Sequence, residues 1–122
     1  MPVLEVEMVL AAGEALAPGL ATALAERASA GFGAAPGRTW VRLRSLERAQ
    51  YAEDGGGPPP GVQPVFVTVL KARWPEGAQL ADEIERLTTA VAQACGRPAE
   101  NVHVAYLPAG AGRVAFGGRL VT

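Results

Sequence analysis

Pro64-Val65-Phe66-Val67-Thr68-Val69-Leu70 is the stretch on which the fold turns, because it restarts a pattern that the chain has already run through once. A proline ahead of six apolar or β-branched residues reads as the entry to a strand, and the near absence of polar residues predicts burial on both faces. Lys71 to Trp74 break the run, and Pro75 and Glu76 suit the first turn of a helix. Leu80, Ile84, Leu87, Val91 and Cys95 then recur at spacings of four, three, four and four, the period of an amphipathic helix. Gly96 and Pro98 stop it, and Asn101 to Leu107 reads as the next strand.

Read backwards from Pro64, the same order of elements appears. Pro2 to Leu10 is apolar, with Glu5 and Glu7 on the opposite parity to Leu4, Val6 and Met8, which predicts a strand. After a break with Gly13, Pro18 and Gly19, the residues Leu20, Leu24 and Ala28 mark a helix to about Ala30, ending in Gly31 and Gly33. Thr39 to Leu46 alternates again, with Val41 and Leu43 on one face and Arg42 and Arg44 on the other. Pro2 to Pro64 and Pro36 to Pro98 are both 62 residues apart. The chain therefore reads as one domain, 1–122, built of a pseudo-repeat, 2–53 and 64–122, joined by a Gly/Pro-rich linker at 54–63.

Each unit is a strand, a helix and a parallel strand in a right-handed crossover. Two such units share a four-stranded mixed sheet with two helices on one face, an α+β fold. The other sheet face needs a cover that no further long element supplies, so association between copies is expected. Composition narrows the partners. With 11 basic and 12 acidic residues the net charge is -1, which gives no electrostatic footprint for nucleic acid or an anionic membrane. Cys95 is the only cysteine and His103 the only histidine, so neither an internal disulfide nor a zinc site of the usual kind is expected, and a reducing cytoplasm is the simplest home.

The chemistry begins at Pro2. Met1 precedes a small residue, so its removal is expected, and the terminus would then be a secondary amine. An α-amino group titrates near 7.7 to 8.0, and desolvation or nearby cations lower that value, so an enclosed terminal proline can carry a proton at neutral pH. Arg42, Arg44 and Arg73 can supply guanidinium groups for a carboxylate or for enolate charge. The bland readings are a solvated or subunit-bridging strand face for Arg42 and Arg44, solvent for Arg73, and a hydrogen-bonded structural role for His103. Trp40 and Tyr106 read as packing residues, and Gly117-Gly118 as a turn.

A proline after Met1, a duplicated strand-helix-strand unit and the closing Ala115-Phe116-Gly117-Gly118-Arg119-Leu120 together resemble the tautomerase superfamily, which includes 4-oxalocrotonate tautomerase and macrophage migration inhibitory factor. The resemblance spans nearly the whole chain. It implies a homotrimer with sheets facing inward, active sites near subunit boundaries, and no cofactor. By the same resemblance Pro2 takes the place of the catalytic amine, Arg42 that of a carboxylate-binding arginine, His103 that of its second-unit equivalent or of an active-site tyrosine, and Phe116 that of an apolar wall. Ala34, Ala105 and Ala12 depart from the family, standing where it has a lysine, an asparagine and an arginine. Lys71 and Arg73 lie near arginines of the dehalogenase and decarboxylase branches, one residue out of register.

The expectation is a cofactor-independent tautomerase or isomerase acting on a small anionic substrate, a 2-keto or 2-hydroxy unsaturated acid. Pro2 is the base and acid, Arg42 and Arg73 are the anchors, and His103 and Phe116 line the pocket. The alternatives are a dehalogenase or decarboxylase of a three-carbon acid, and a non-catalytic trimeric binding protein.

Overall fold

The structure, a computed structural model, describes residues 2–122; Met1, on whose removal a terminal amine depends, lies outside the described residues. Strand β1 (Val3–Leu10), helix α1 (Leu20–Phe32) and strand β2 (Trp40–Glu47) form the first unit, and β3 (Val65–Leu70), α2 (Ala78–Cys95) and β4 (Val102–Tyr106) the second. Each helix returns the chain parallel to the strand it left, so β1 pairs parallel with β2 and β3 parallel with β4. The units join through β1 and β3, which run antiparallel with Val3 opposite Leu70 and Val6 opposite Val67. The resulting mixed sheet has the order β2-β1-β3-β4.

One face of the sheet is core. Leu4, Val6 and Met8 of β1 and Val65, Val67 and Val69 of β3 are buried against Leu20, Leu24 and Ala28 of α1 and Leu87 and Val91 of α2. Arg86 ties the helices together, its Nε donating to the Gly31 carbonyl at 3.0 Å. The other face carries Glu5, Arg42, Arg44, Phe66, Thr68 and His103 and is not covered within the chain. The expectation that β3 is buried on both faces fails there, because Phe66, Thr68 and Leu70 are only half-buried.

Helix ends also differ from the sequence reading. Helix α1 continues through Gly31 to Phe32 and stops at Gly33, whose φ of 63° lets the Gly33 and Ala34 amides turn back onto the Ala30 and Ser29 carbonyls. Helix α2 begins at Ala78 and not at Pro75, since Gly77 takes φ 54°, ψ -126°, outside the helical region. The 54–63 linker is pinned. Glu53 N–H donates to Gly57 O, and the Arg48 guanidinium reaches the carbonyls of Pro58, Pro59 and Val62 at 3.1, 3.0 and 2.5 Å.

The chain closes in a hairpin, β5 (Ala115–Phe116) and β6 (Arg119–Leu120), turned by Gly117 and Gly118, both at positive φ as a two-residue turn requires. The segment before it is fastened to the end of β3, with Gly110 N–H on the Lys71 carbonyl at 2.8 Å. That places the hairpin at the end of the sheet where β1 begins.

Candidate active site

Pro2 is buried at the head of β1, and its carbonyl accepts the Trp40 N–H at 3.0 Å. Beside it lies a cavity of about 300 Å³ walled by Val3, Gly37, Arg38, Trp40 and Phe116. Val3 stands opposite Trp40 in the ladder, and Trp40 meets Phe116 edge to face with ring centroids 5.2 Å apart. Trp40 is still 52% exposed, which marks it as a wall and not as core. The loop that carries Arg38 is short because Gly33 and Gly37, at φ 63° and 80°, turn it sharply between α1 and β2. Arg38 is exposed at the cavity and makes no ion pair among the described residues.

A second polar group lies on the helix side of the same end. Lys71 Nζ is 2.7 Å from Glu83 Oε1 and sits over the Phe32 ring, 4.9 Å from its centroid. The Tyr106 hydroxyl donates to Glu83 Oε2 at 2.5 Å, and burial together with that hydrogen bond pushes the phenol far above its usual range. Trp74 stands edge to face against Tyr106 and donates to the Leu107 carbonyl. Lys71 is thereby committed to Glu83 and turned away from the cavity.

The residues singled out from sequence are spread over this frame. Phe116 shares the Pro2 end as a cavity wall. Arg42 lies opposite Glu5, three residues along β1 from Pro2, and pairs with the Glu5 carboxylate at 2.5 Å; Arg44 reaches the same carboxylate at 3.6 Å. Arg73 is exposed in the turn after β3. His103 is exposed at the opposite end of the sheet, tilted against Phe66 with centroids 5.5 Å apart. Within one chain Arg42 and His103 therefore sit on the open face, apart from Pro2. Arg38 and Trp40 were not picked as site residues from sequence. The signal available was the cation two residues ahead of an aromatic at the first position of β2, which puts both on one face.

Comparison with solved structures decides the architecture. A fused 4-OT, wild type and a symmetric trimer, superposes with a TM-score of 0.76 at 20% identity, covering 98% of this chain and 94% of that one. Pt0534, inactivated by 2-oxo-3-pentynoate, gives 0.73 at 20% identity over 97% and 94% of the two chains. Macrophage migration inhibitory factor from Oncomelania hupensis gives 0.73 at 18% identity, over 100% of this chain and 83% of its own. This is the tautomerase-superfamily fold. No family model matches the sequence, and no curated protein does. The tautomerase fold thus rests on the backbone, with identities too low to carry side-chain roles across. Among the described residues no helix is long and apolar enough to cross a membrane, and no group of three or more His, Cys, Asp or Glu is placed to hold a metal ion.

Proposed function

We propose that this chain is a cofactor-independent tautomerase or isomerase that moves a proton on a small 2-keto or 2-hydroxy unsaturated carboxylic acid, with Pro2 as general base and acid. The observation that carries the reading is the burial of Pro2 at the head of β1, next in the chain to Val3, which lines an aromatic-walled cavity with a cation on its wall, in a tautomerase fold. Keto–enol exchange needs a base able to hold a proton near neutrality and donors or cations for the developing enolate. Pro2, freed of Met1, is the first. Arg38 is the cation on the cavity wall, and Trp40 and Phe116 exclude water from the apolar part of the substrate.

The same proposal makes the working molecule a homotrimer, as the fused 4-OT structure is described to be. The open face bearing Arg42 and His103 then meets neighbouring copies, which is how these residues join a Pro2 end from which they are separated within one chain. Arg73, free in the turn after β3, remains a second anchor. The hydrolytic alternative asks for two cations after β3, and the Lys71–Glu83 pair leaves only Arg73 for that task.

The test is the ketonisation of a simple enol such as phenylenolpyruvate by the wild type and by Pro2→Ala. Loss of a positioned base lowers kcat/KM by roughly 10²- to 10⁴-fold. An unchanged rate in the variant sinks the mechanism, as does an intact mass that still includes Met1, since the Pro2 nitrogen is then an amide.

A further inference from the structure

Trp40 does more than wall the cavity. It opens β2 opposite Val3, and three of its groups engage three different segments of the chain. The backbone N–H donates to the Pro2 carbonyl at 3.0 Å, the ring meets Phe116 of the closing hairpin edge to face with centroids 5.2 Å apart, and the indole Nε1–H donates to the Gly37 carbonyl at 3.2 Å. The first two join β2 to the head of β1 and to the hairpin. The third reaches back three residues into the loop that carries Arg38.

That loop has few other ties. Ala35, Pro36, Gly37 and Arg38 are all exposed, and Gly37, at φ 80°, is free to take several backbone conformations. The Gly37 carbonyl and the Arg38 N–H belong to one planar peptide unit. Its N–H end donates to the Ala35 carbonyl at 3.3 Å and its carbonyl end accepts the indole, so both ends are held. Thr39 follows, buried on the other parity from Trp40. The Arg38 side chain therefore leaves a backbone whose orientation is set on both sides. Its guanidinium sits on a long stem, and ordering such a side chain is a cost that binding has to meet; a fixed base lowers it. Arg42 and Arg44 share the Glu5 carboxylate and Lys71 is paired with Glu83, whereas Arg38 makes no ion pair among the described residues and lines the cavity.

We propose that Trp40 is a positioning residue for Arg38: its indole N–H fixes the Gly37–Arg38 peptide, so that the guanidinium is held at the cavity to take the carboxylate of the substrate. The second half of this rests on the reading of the cavity as the substrate site; the tether itself does not. Trp40 acts through the loop, and Arg38 is the group that meets the anion, with two parallel N–H donors for its two oxygens. Loss of the indole donor leaves the guanidinium present but lowers the fraction of molecules in which it is in place, and apparent affinity falls by that fraction.

The experiment pairs limited trypsin digestion with a double-mutant cycle on phenylenolpyruvate ketonisation. Trp40→Phe keeps an aromatic wall and removes the N–H, so cleavage after Arg38 should speed up about fivefold, the scale of one hydrogen bond. In the kinetics Trp40→Phe should lower kcat/KM by roughly threefold to tenfold, the loss lying in KM. Arg38→Met should lower it by about 10- to 100-fold, as for a hydrogen bond to a charged group. The double variant should be no worse than Arg38→Met to within about twofold, because a tether has nothing left to position. Unchanged cleavage in folded Trp40→Phe overturns the inference, and so do additive losses, which make Trp40 a wall only. Arg38→Met with unchanged kcat/KM also overturns it, and needs no change at Trp40. If Pro2→Ala leaves the rate unchanged, the reading of the reaction falls, while faster cleavage of Trp40→Phe still supports the tether.

Discussion

Cys95 ends α2 half-buried, and desolvation pushes its thiol up to about 11 against a weaker opposing pull from Arg97. At pH 8 the thiolate fraction is then about one in a thousand, so alkylation by iodoacetamide should run roughly a hundredfold slower than for free cysteine. The rate should keep rising through pH 10 and reach its half-maximum only near 11; a half-maximum near 8.5 would show an unperturbed thiol. Glu14 goes the other way. The Arg97 guanidinium grips both of its oxygens and the Ala11 amide donates to it, which lowers its carboxyl below the ordinary value. A depressed folded value means stability that is complete above the ordinary glutamate range and lost as pH falls through the lowered one. Glu14→Gln should cost under about 1 kcal/mol at pH 7, the scale of an exposed pair, and nothing in acid; equal losses at pH 7 and in acid would contradict this. Single residues were the hardest to read from sequence. Parity told that Trp40 and Arg42 share the face opposite the helices' side or its reverse, but not which end of the strand meets the closing hairpin, and that decides that Trp40 is a wall and Arg42 a partner of Glu5.

At the scale of elements, Leu87 is fully buried where α2 meets the sheet, so Leu87→Ala should cost about 2 to 5 kcal/mol in a denaturant titration. A loss below about 1 kcal/mol would mean that α2 does not pack as described. Arg48 does for the linker what Leu87 does for the core. With three carbonyls on its guanidinium, Arg48→Ala should cost about 1 to 3 kcal/mol and open the Gly55–Gly57 stretch to limited proteolysis; an unchanged cleavage rate would remove the clamp. These elements were legible because helix and strand periods survive without tertiary context: the 62-residue offset and the Leu80 to Cys95 spacing led to both β-α-β units. Their ends were less so. Pro75 is suited to a first helical turn, yet a glycine in a non-helical conformation at position 77 postpones the helix, and a backbone angle of that kind leaves no mark in the spacing of apolar residues. The pinning of the linker was equally invisible, since it depends on one arginine reaching across a loop.

At the scale of the whole molecule, the apolar run of β3 misled by predicting burial on both faces, and the reason is informative. A sequence records which faces shun water, not which chain covers them. Phe66 and Thr68 are half-buried in one chain, next to the Glu5–Arg42–Arg44 cluster, in a face that a second copy can cover. Thr68 lies between Glu5 of β1 and Ala105 of β4 in the ladder, near the middle of that face and away from the helix-side core. Thr68→Arg should therefore leave the far-UV spectrum and the core intact while placing a bulky charge at the centre of any inward-facing assembly, where an unpaired buried charge costs several kcal/mol per copy. Sedimentation should then show a three-chain species for the wild type and a single chain for the variant. If Arg42 and His103 complete the site only across the boundary, enol ketonisation should fall with the assembly although Pro2, Arg38 and Phe116 are untouched. A variant that stays trimeric would remove the open face from the interface, and a monomer with full activity would confine the working site to the Pro2 end of one chain.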